Sequence, residues 1–169
     1  VIFRKLTKVM AVLSAAAGFG ALGVAHSPQA QAAESGRFVQ LADGWPHNDL
    51  CLNTQDYSNV RGAYVLQMSC SSPGANEKVW HWSGRQIVHR SGLCLTPEGN
   101  AYANGTRLTI WPCSNAASQQ WGYDKGKVYP YSRPSQAITS YANSGQSGYK
   151  VTLWTYTGNH SQAWGWWPA

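Results

Sequence analysis

Residues 94–121 read CLTPEGNAYANGTRLTIWPCSNAASQQW, and the same text returns in altered form 43 residues earlier and 43 residues later. Cys51 precedes Cys94 by that interval, Cys70 precedes Cys113, and Trp164 follows Trp121. Gly62, Gly105 and Gly148 keep the spacing, as do Val65, Leu108 and Val151, and Met68, Trp111 and Trp154. Ala137 and Tyr156 stand where a third cysteine pair would fall. The units open with Cys51-Leu52, Cys94-Leu95 and Ala137-Ile138. They close with a Trp-x-aromatic step: Trp80-His81-Trp82, Trp121-Gly122-Tyr123 and Trp164-Gly165-Trp166. Trp80 falls two residues late because the loop after Cys70 is two residues longer. Several independent columns in one register mark a repeat architecture, in which each unit buries its apolar face only against its neighbours.

Within a unit the local signal is strand. Arg107-Leu108-Thr109-Ile110-Trp111 and Lys150-Val151-Thr152-Leu153-Trp154 alternate and are rich in β-formers. Asn104-Gly105 and Ser147-Gly148 precede them as turn signals. No helical periodicity appears beyond the leader. Three units of about four short strands each, packed around a shared axis, make an all-β domain.

The opening residues read differently. Arg4, Lys5 and Lys8 precede an uncharged run, Val9 to Ala25, and Ala30-Gln31-Ala32 is a small-x-small cleavage site. This is the layout of a secretory signal peptide. The run is at the short end of a membrane span and is diluted with Gly and Ser. The expected organisation is a signal peptide over 1–32, a short tail over 33–37 and one domain over 38–169. Val1 reads as an alternative start codon, which implies a bacterial source. The expectation is a secreted, extracellular protein that has no membrane anchor after signal removal.

With the leader's three basic residues set aside, ten remain against seven acidic, a net charge of +3 over 137 residues. That balance, without any basic run, gives no support for a nucleic-acid partner. All nine tryptophans and all four cysteines lie beyond residue 32. An even cysteine count in an exported chain points to disulfides. Cys51 with Cys70 and Cys94 with Cys113 close two loops of equal span. Within-unit pairing is the simpler reading, and the pairings that would join different units remain open. In unit three, a small Ala137 facing a large Tyr156 would fill the space of the two sulfurs. No C-x-x-C pair supports zinc, and no cofactor is implied.

Repeats with Cys-Leu, a hydrophobic strand ending Trp-x-Cys and then Gln-x-Trp resemble the ricin B-type lectin family, including modules of secreted actinomycete enzymes. The carrying residues in unit two are Cys94-Leu95, Ile110-Trp111-Pro112-Cys113 and Gln119-Gln120-Trp121. In unit three they are Leu153-Trp154 and Gln162-Ala163-Trp164, while Lys78-Val79-Trp80 replaces the Gln-x-Trp repeat in unit one. The resemblance covers about Phe38 to Pro168. It implies a β-trefoil, a six-stranded barrel capped by three hairpins, with three repeats of about 43 residues and two intra-repeat disulfides.

The family's sites use an Asp two residues after the first Cys, an aromatic two residues before the second Cys, and an Asn just before the Gln of Gln-x-Trp. The Asp position holds Asn53, Thr96 and Thr139, the aromatic position Met68, Trp111 and Trp154, and the Asn position Glu77, Ser118 and Ser161. Unit one reads as lost. Units two and three keep the stacking platform and lose the carboxylate. The carbohydrate-binding candidates are therefore Trp111, Trp154, Thr96, Thr139, Ser118, Gln119, Ser161 and Gln162. For Gln119 and Gln162 a structural role, a buried amide holding a turn, is the preferred reading. Tyr102, Tyr141 and Tyr149 are loop aromatics near the expected pockets. Trp166-Trp167-Pro168 is expected to seal the last strand against the first.

Three functions compete. The resemblance implies a carbohydrate-binding module, weak or multivalent, with a glycan or polysaccharide as partner. The chain carries His47, His81, His89 and His160 with Asp43, Asp49, Asp56 and Asp124, but no nucleophile elbow, zinc motif or P-loop, so it is not read as an enzyme. A trefoil without its carboxylates also serves as an adaptor for a secreted protein partner, or as a protease inhibitor. Exposure discriminates: Trp111 and Trp154 beside Thr96 and Thr139 in concave pockets favour the lectin, and buried tryptophans with a flat patch elsewhere favour the adaptor.

Overall fold

Strand-forming pairs separated by tight turns give each repeat four short strands, twelve in all, among the residues described by the computed structural model: 35–41, 49–72, 80–141 and 146–168. The expected leader lies outside the described residues, as do Asp43, His47, Glu77, Lys78 and Val79. In chain order the strands are β1 (Ser35–Gln40), β2 (Leu50–Thr54), β3 (Val65–Ser69) and β4 (Trp80–Ser83) in unit one. Unit two has β5 (Gln86–His89), β6 (Leu93–Pro97), β7 (Leu108–Pro112) and β8 (Trp121–Asp124). Unit three has β9 (Lys127–Pro130), β10 (Gln136–Ser140), β11 (Val151–Thr155) and β12 (Trp164–Pro168). No α-helix occurs among the described residues, only short 3₁₀ turns such as Glu98–Asn100 and Ala117–Gln119.

The first and fourth strands of the units close a barrel. β1 pairs with β4 through Ser35–His81 and with β12 from Gly36–Pro168 to Gln40–Trp164. β4 pairs with β5, and β8 with β9. The remaining joints are made by Trp121 N–H to Arg85 O (2.8 Å) and Trp164 N–H to Gly126 O (2.7 Å). Ser35 to Arg37, expected in a short tail, are therefore part of a barrel strand. Their backbone groups find partners on β4 and β12. Trp166 and Trp167 lie opposite Phe38 and Arg37, so the last strand does close against the first.

The second and third strands form three hairpins, β2–β3, β6–β7 and β10–β11, that cap the barrel. The Gly column binds them together. Gly62, Gly105 and Gly148 have φ of 86°, 87° and 89°, values that favour glycine. Each donates its N–H to the next hairpin, to Ile110 O, Leu153 O and Gln67 O respectively, at 2.7–2.8 Å.

The core is assembled from matched columns. Trp80, Trp121 and Trp164 are buried, and their indole N–H groups donate to Leu52 O, Leu95 O and Ile138 O at 3.0, 3.0 and 3.2 Å. Each Trp thus joins barrel to cap without leaving a buried donor unpaired. The second aromatics of the closing steps, Trp82, Tyr123 and Trp166, surround Phe38 with ring centroids 5.9, 6.5 and 4.9 Å away.

The disulfides are Cys51–Cys70 and Cys94–Cys113, with Cα separations of 5.1 and 5.0 Å. In unit three Ala137 is buried, but Tyr156 does not fill the space opposite it. Tyr156 is 43% exposed, its N–H bonds Ser135 O, and the Lys127 ammonium sits 4.4 Å from its ring centroid. Its ring lies at the surface, as Cys113 does at the equivalent position of unit two.

Candidate functional site

Two pockets occupy equivalent places in units two and three. The first, about 250 Å³, is lined by Thr96, Thr109, Trp111, Glu98 and Asn100 among others. The second, about 350 Å³, is lined by Thr139, Thr152, Trp154, Tyr141, Asn159 and Thr157 among others. The second sits at the lower end of the roughly 300–1,000 Å³ typical of small-molecule sites, and the first falls just below it.

Trp111 and Trp154 end their cap strands and are 46% and 42% exposed. The first three residues of each strand, Leu108 to Ile110 and Val151 to Leu153, are buried, and the tryptophans emerge where the strand leaves the cap. Each indole is backed by the turn glycine of the preceding unit. A Cβ on Gly62 would lie 3.4 Å from Trp111 Cζ3, and one on Gly105 would lie 3.6 Å from Trp154 Cζ3. The bare glycine backbone lets the ring lie against it and leaves the rest of the indole open to a ligand.

The predicted polar residues face inward: Thr139, Ser161 and Gln162 line the unit-three pocket, whereas in unit two Thr96 lines the pocket and Ser118 and Gln119 do not. Thr96 Oγ1 donates to Cys94 O (2.8 Å) and accepts from Gln119 Nε2 (2.9 Å). Thr139 Oγ1 donates to Ala137 O (3.0 Å) and accepts from Gln162 Nε2 (3.0 Å). The amide of Gln119 also donates to Pro112 O and accepts from Ser114 N–H and Oγ–H. Gln162 repeats this with Thr155 O and the N–H and Oγ–H of Thr157. Both amides are buried and have their hydrogen-bonding capacity occupied within the fold. Ser118 and Ser161 are buried as well, and Ser118 Oγ donates to Asn100 Oδ1 (2.6 Å). A spent hydroxyl offers at most one remaining lone pair, so these residues build the pocket wall more than they present donors.

The pocket rims hold Glu98, which no motif singled out, and Tyr141, one of the expected loop aromatics. Glu98 follows Thr96 by two residues in the 3₁₀ turn and lines the unit-two pocket. Its Oε1 accepts the Tyr64 hydroxyl at 2.7 Å. That bond, with the carboxylate's charge, raises the Tyr64 pKa above its ordinary value, and Arg107 opposes the shift. One repeat later the Glu98 position is Tyr141, which is 41% exposed and faces the unit-three pocket. The 43-residue register was the signal for both. Tyr149 is also exposed, whereas Tyr102 is packed against the core. In unit one Asn53 is buried and its Oδ1 accepts the Thr54 N–H, so it presents nothing outward. No group of three potential metal ligands occurs among the described residues.

Among the described residues, the histidines and aspartates weighed for catalysis form no cluster of three. His89 is buried against Trp80 and Ser91, and Asp49 holds the β3 end through Ser69 and Ser71. No helix of the described residues is long and apolar enough to cross a membrane.

Known proteins place this architecture. Nigrin b of Sambucus nigra is 28% identical over 107 residues, 51% of this chain and 19% of that protein, so the chain spans about a fifth of its relative's length. The designed three-fold symmetric protein ThreeFoil superposes with a TM-score of 0.66 at 22% identity, covering 78% of this chain and 96% of its own. The C-half of an earthworm R-type lectin, solved in complex with GalNAc, gives 0.66 at 11% identity, covering 80% and 99%. The model of the ricin-type beta-trefoil lectin domain matches residues 37–164, and with the three-fold barrel, the capped hairpins and the Trp columns in register, the chain belongs to that family.

Proposed function

We propose that the protein is a secreted carbohydrate-binding module in which Trp111 and Trp154 stack on sugar rings in two separate pockets. One observation carries the reading: at the same register position in two repeats, an indole that strand packing leaves over 40% exposed stands beside a concave, hydroxyl-lined pocket. A flat aromatic ring covers the apolar C–H face of a sugar and leaves its polar rim free for hydrogen bonds. Glu98 supplies charge-assisted acceptance of sugar hydroxyls in unit two, and Tyr141 supplies a second aromatic wall in unit three. The lectins among its relatives support the same class of ligand.

Each site is weak. Thr96 and Thr139 stand where the family carries Asp, and their hydroxyls are already bonded within the fold. Two weak sites on one rigid body gain strength on a polymer, where the second contact is intramolecular. The protein-partner reading gains less, because Trp111 and Trp154 line pockets rather than a flat face.

The test is a panel of soluble glycans and insoluble polysaccharides probed with the oxidised protein and with Trp111→Ala and Trp154→Ala variants. Binding that falls with each variant supports the assignment. An intact protein that binds nothing across the panel overturns it.

A further inference from the structure

Unit one has lost the family's sugar-contacting residues, yet its face is not closed. At its junction with unit three lies a shallow pocket of about 610 Å³. Gly148, Leu66 and Asp56 take the places there that Gly62, Thr109 and Gly99 take in unit two. Neither Asn53 nor Met68 lines it. Its walls come instead from Arg107, Lys150, Tyr141 and Tyr149.

Tyr64, Arg107 and Lys150 form one column of the repeat, and each sits where two caps meet, opposite Thr109, Thr152 and Leu66 respectively. Arg107 and Lys150 are brought to one pocket by this closure. The Arg107 guanidinium lies 3.2 Å from the Tyr64 ring centroid, and its Nε is buried without a hydrogen-bond partner among the described residues. The Lys150 ammonium lies 4.3 Å from the Tyr141 ring centroid. Neither cation forms an ion pair with a carboxylate among the described residues. Both are instead held over aromatic faces, which leaves their charge available to an incoming anion. The opposing charge in the wall is Asp56, an exposed carboxylate whose Oδ2 accepts from Gln55 Nε2 at 3.4 Å. Tyr141 belongs to this pocket and to the unit-three pocket alike.

We infer that this pocket is a subsite for an acidic sugar residue, with Arg107 and Lys150 taking its carboxylate or sulfate, Asp56 accepting hydroxyls and Tyr149 flanking the ring. The inference rests on the carbohydrate reading above and adds a ligand class to it. Two cations against one carboxylate favour an anionic residue over a neutral one, because an acidic group accepts charge-assisted bonds from both. The shared Tyr141 gives the direction of the chain: one ring on Trp154, and its acidic neighbour across Tyr141 beside Lys150.

The test compares polygalacturonate with its methyl-esterified form, which keeps the backbone and removes the charge. Dextran sulfate against dextran separates sulfate from carboxylate. The protein is used as the wild type, as Lys150→Gln and as Trp154→Ala. The expected result is tighter binding of at least one acidic polymer than of its neutral counterpart, weakening with salt. Lys150→Gln is expected to lower acidic binding by roughly tenfold and leave neutral-glycan binding unchanged. Equal affinity for acidic and neutral polymers, or acidic binding that survives Lys150→Gln, overturns the subsite. If neutral binding still depends on Trp154 in that case, the carbohydrate reading stands without it. An unstructured single-stranded oligonucleotide that binds as tightly as the acidic polymers overturns it too, since charge alone then accounts for the binding.

Discussion

The side-chain amide of Gln119 donates to the hydroxyl of Thr96 across 2.9 Å, and Gln162 does the same to Thr139 across 3.0 Å. In both repeats the Gln of Gln-x-Trp is spent on the fold. It ties the pocket wall to the strand end at Pro112 or Thr155 and to the turn at Ser114 or Thr157. Gln119→Ala is therefore a stability change. It leaves the Ser114 N–H without its side-chain acceptor and is expected to cost about 1–3 kcal/mol in urea denaturation. Glycan affinity of the folded protein is expected to change far less than stability, because the buried amide reaches the pocket only through Thr96 and offers a ligand no free hydrogen-bonding group.

Trp111→Ala and Trp154→Ala should behave in the opposite way. Both rings are over 40% exposed, so the loss in stability stays under about 1 kcal/mol. Each variant is expected to lose binding at its own pocket, and the double variant to lose it entirely. Titration of the three variants by isothermal calorimetry checks the additivity. A double variant that binds like the wild type would place the sites elsewhere.

Each disulfide spans 19 residues, and in the chain-entropy model a loop of that order contributes about 3 kcal/mol. Cys51→Ser with Cys70→Ser is expected to lower the unfolding free energy by that amount, and so is the Cys94–Cys113 pair changed the same way. Reduction of the wild type should cost more than either, read as a drop in denaturation midpoint. Unit three has no cross-link to lose.

Gln67 takes the column of Ile110 and Leu153 and is fully buried. Its Nε2 donates to Gln146 O (2.6 Å) and its Oε1 accepts the Ser140 hydroxyl. Gln67→Leu alone removes the acceptor of the Ser140 hydroxyl and the donor to Gln146 O, and is expected to destabilise by about 1–3 kcal/mol. Adding Ser140→Ala removes the other side of the side-chain pair, and part of the loss should be recovered. A thermodynamic cycle over the two positions measures the coupling directly.

Taken alone, the sequence determined the fold, favoured the within-unit disulfides and singled out Trp111 and Trp154 as candidate stacking residues. These depend on columns spaced 43 residues apart, and a repeat read three times averages out the noise of any one unit. Val65, Leu108 and Val151 announce a shared core, and Trp80, Trp121 and Trp164 announce three equivalent joints. Side-chain direction and the company each residue keeps were decided by the tertiary structure. Thr96 and Thr139 match a binding position in sequence, but their hydroxyls turn inward because buried Gln119 and Gln162 amides require partners. Tyr156 matches a cysteine position, and its ring lies at the surface beside Lys127. The Arg107–Lys150 pocket joins residues from three units across the cap. Only closure of the barrel brings them together, because no local spacing encodes the meeting of chain segments that are far apart in sequence.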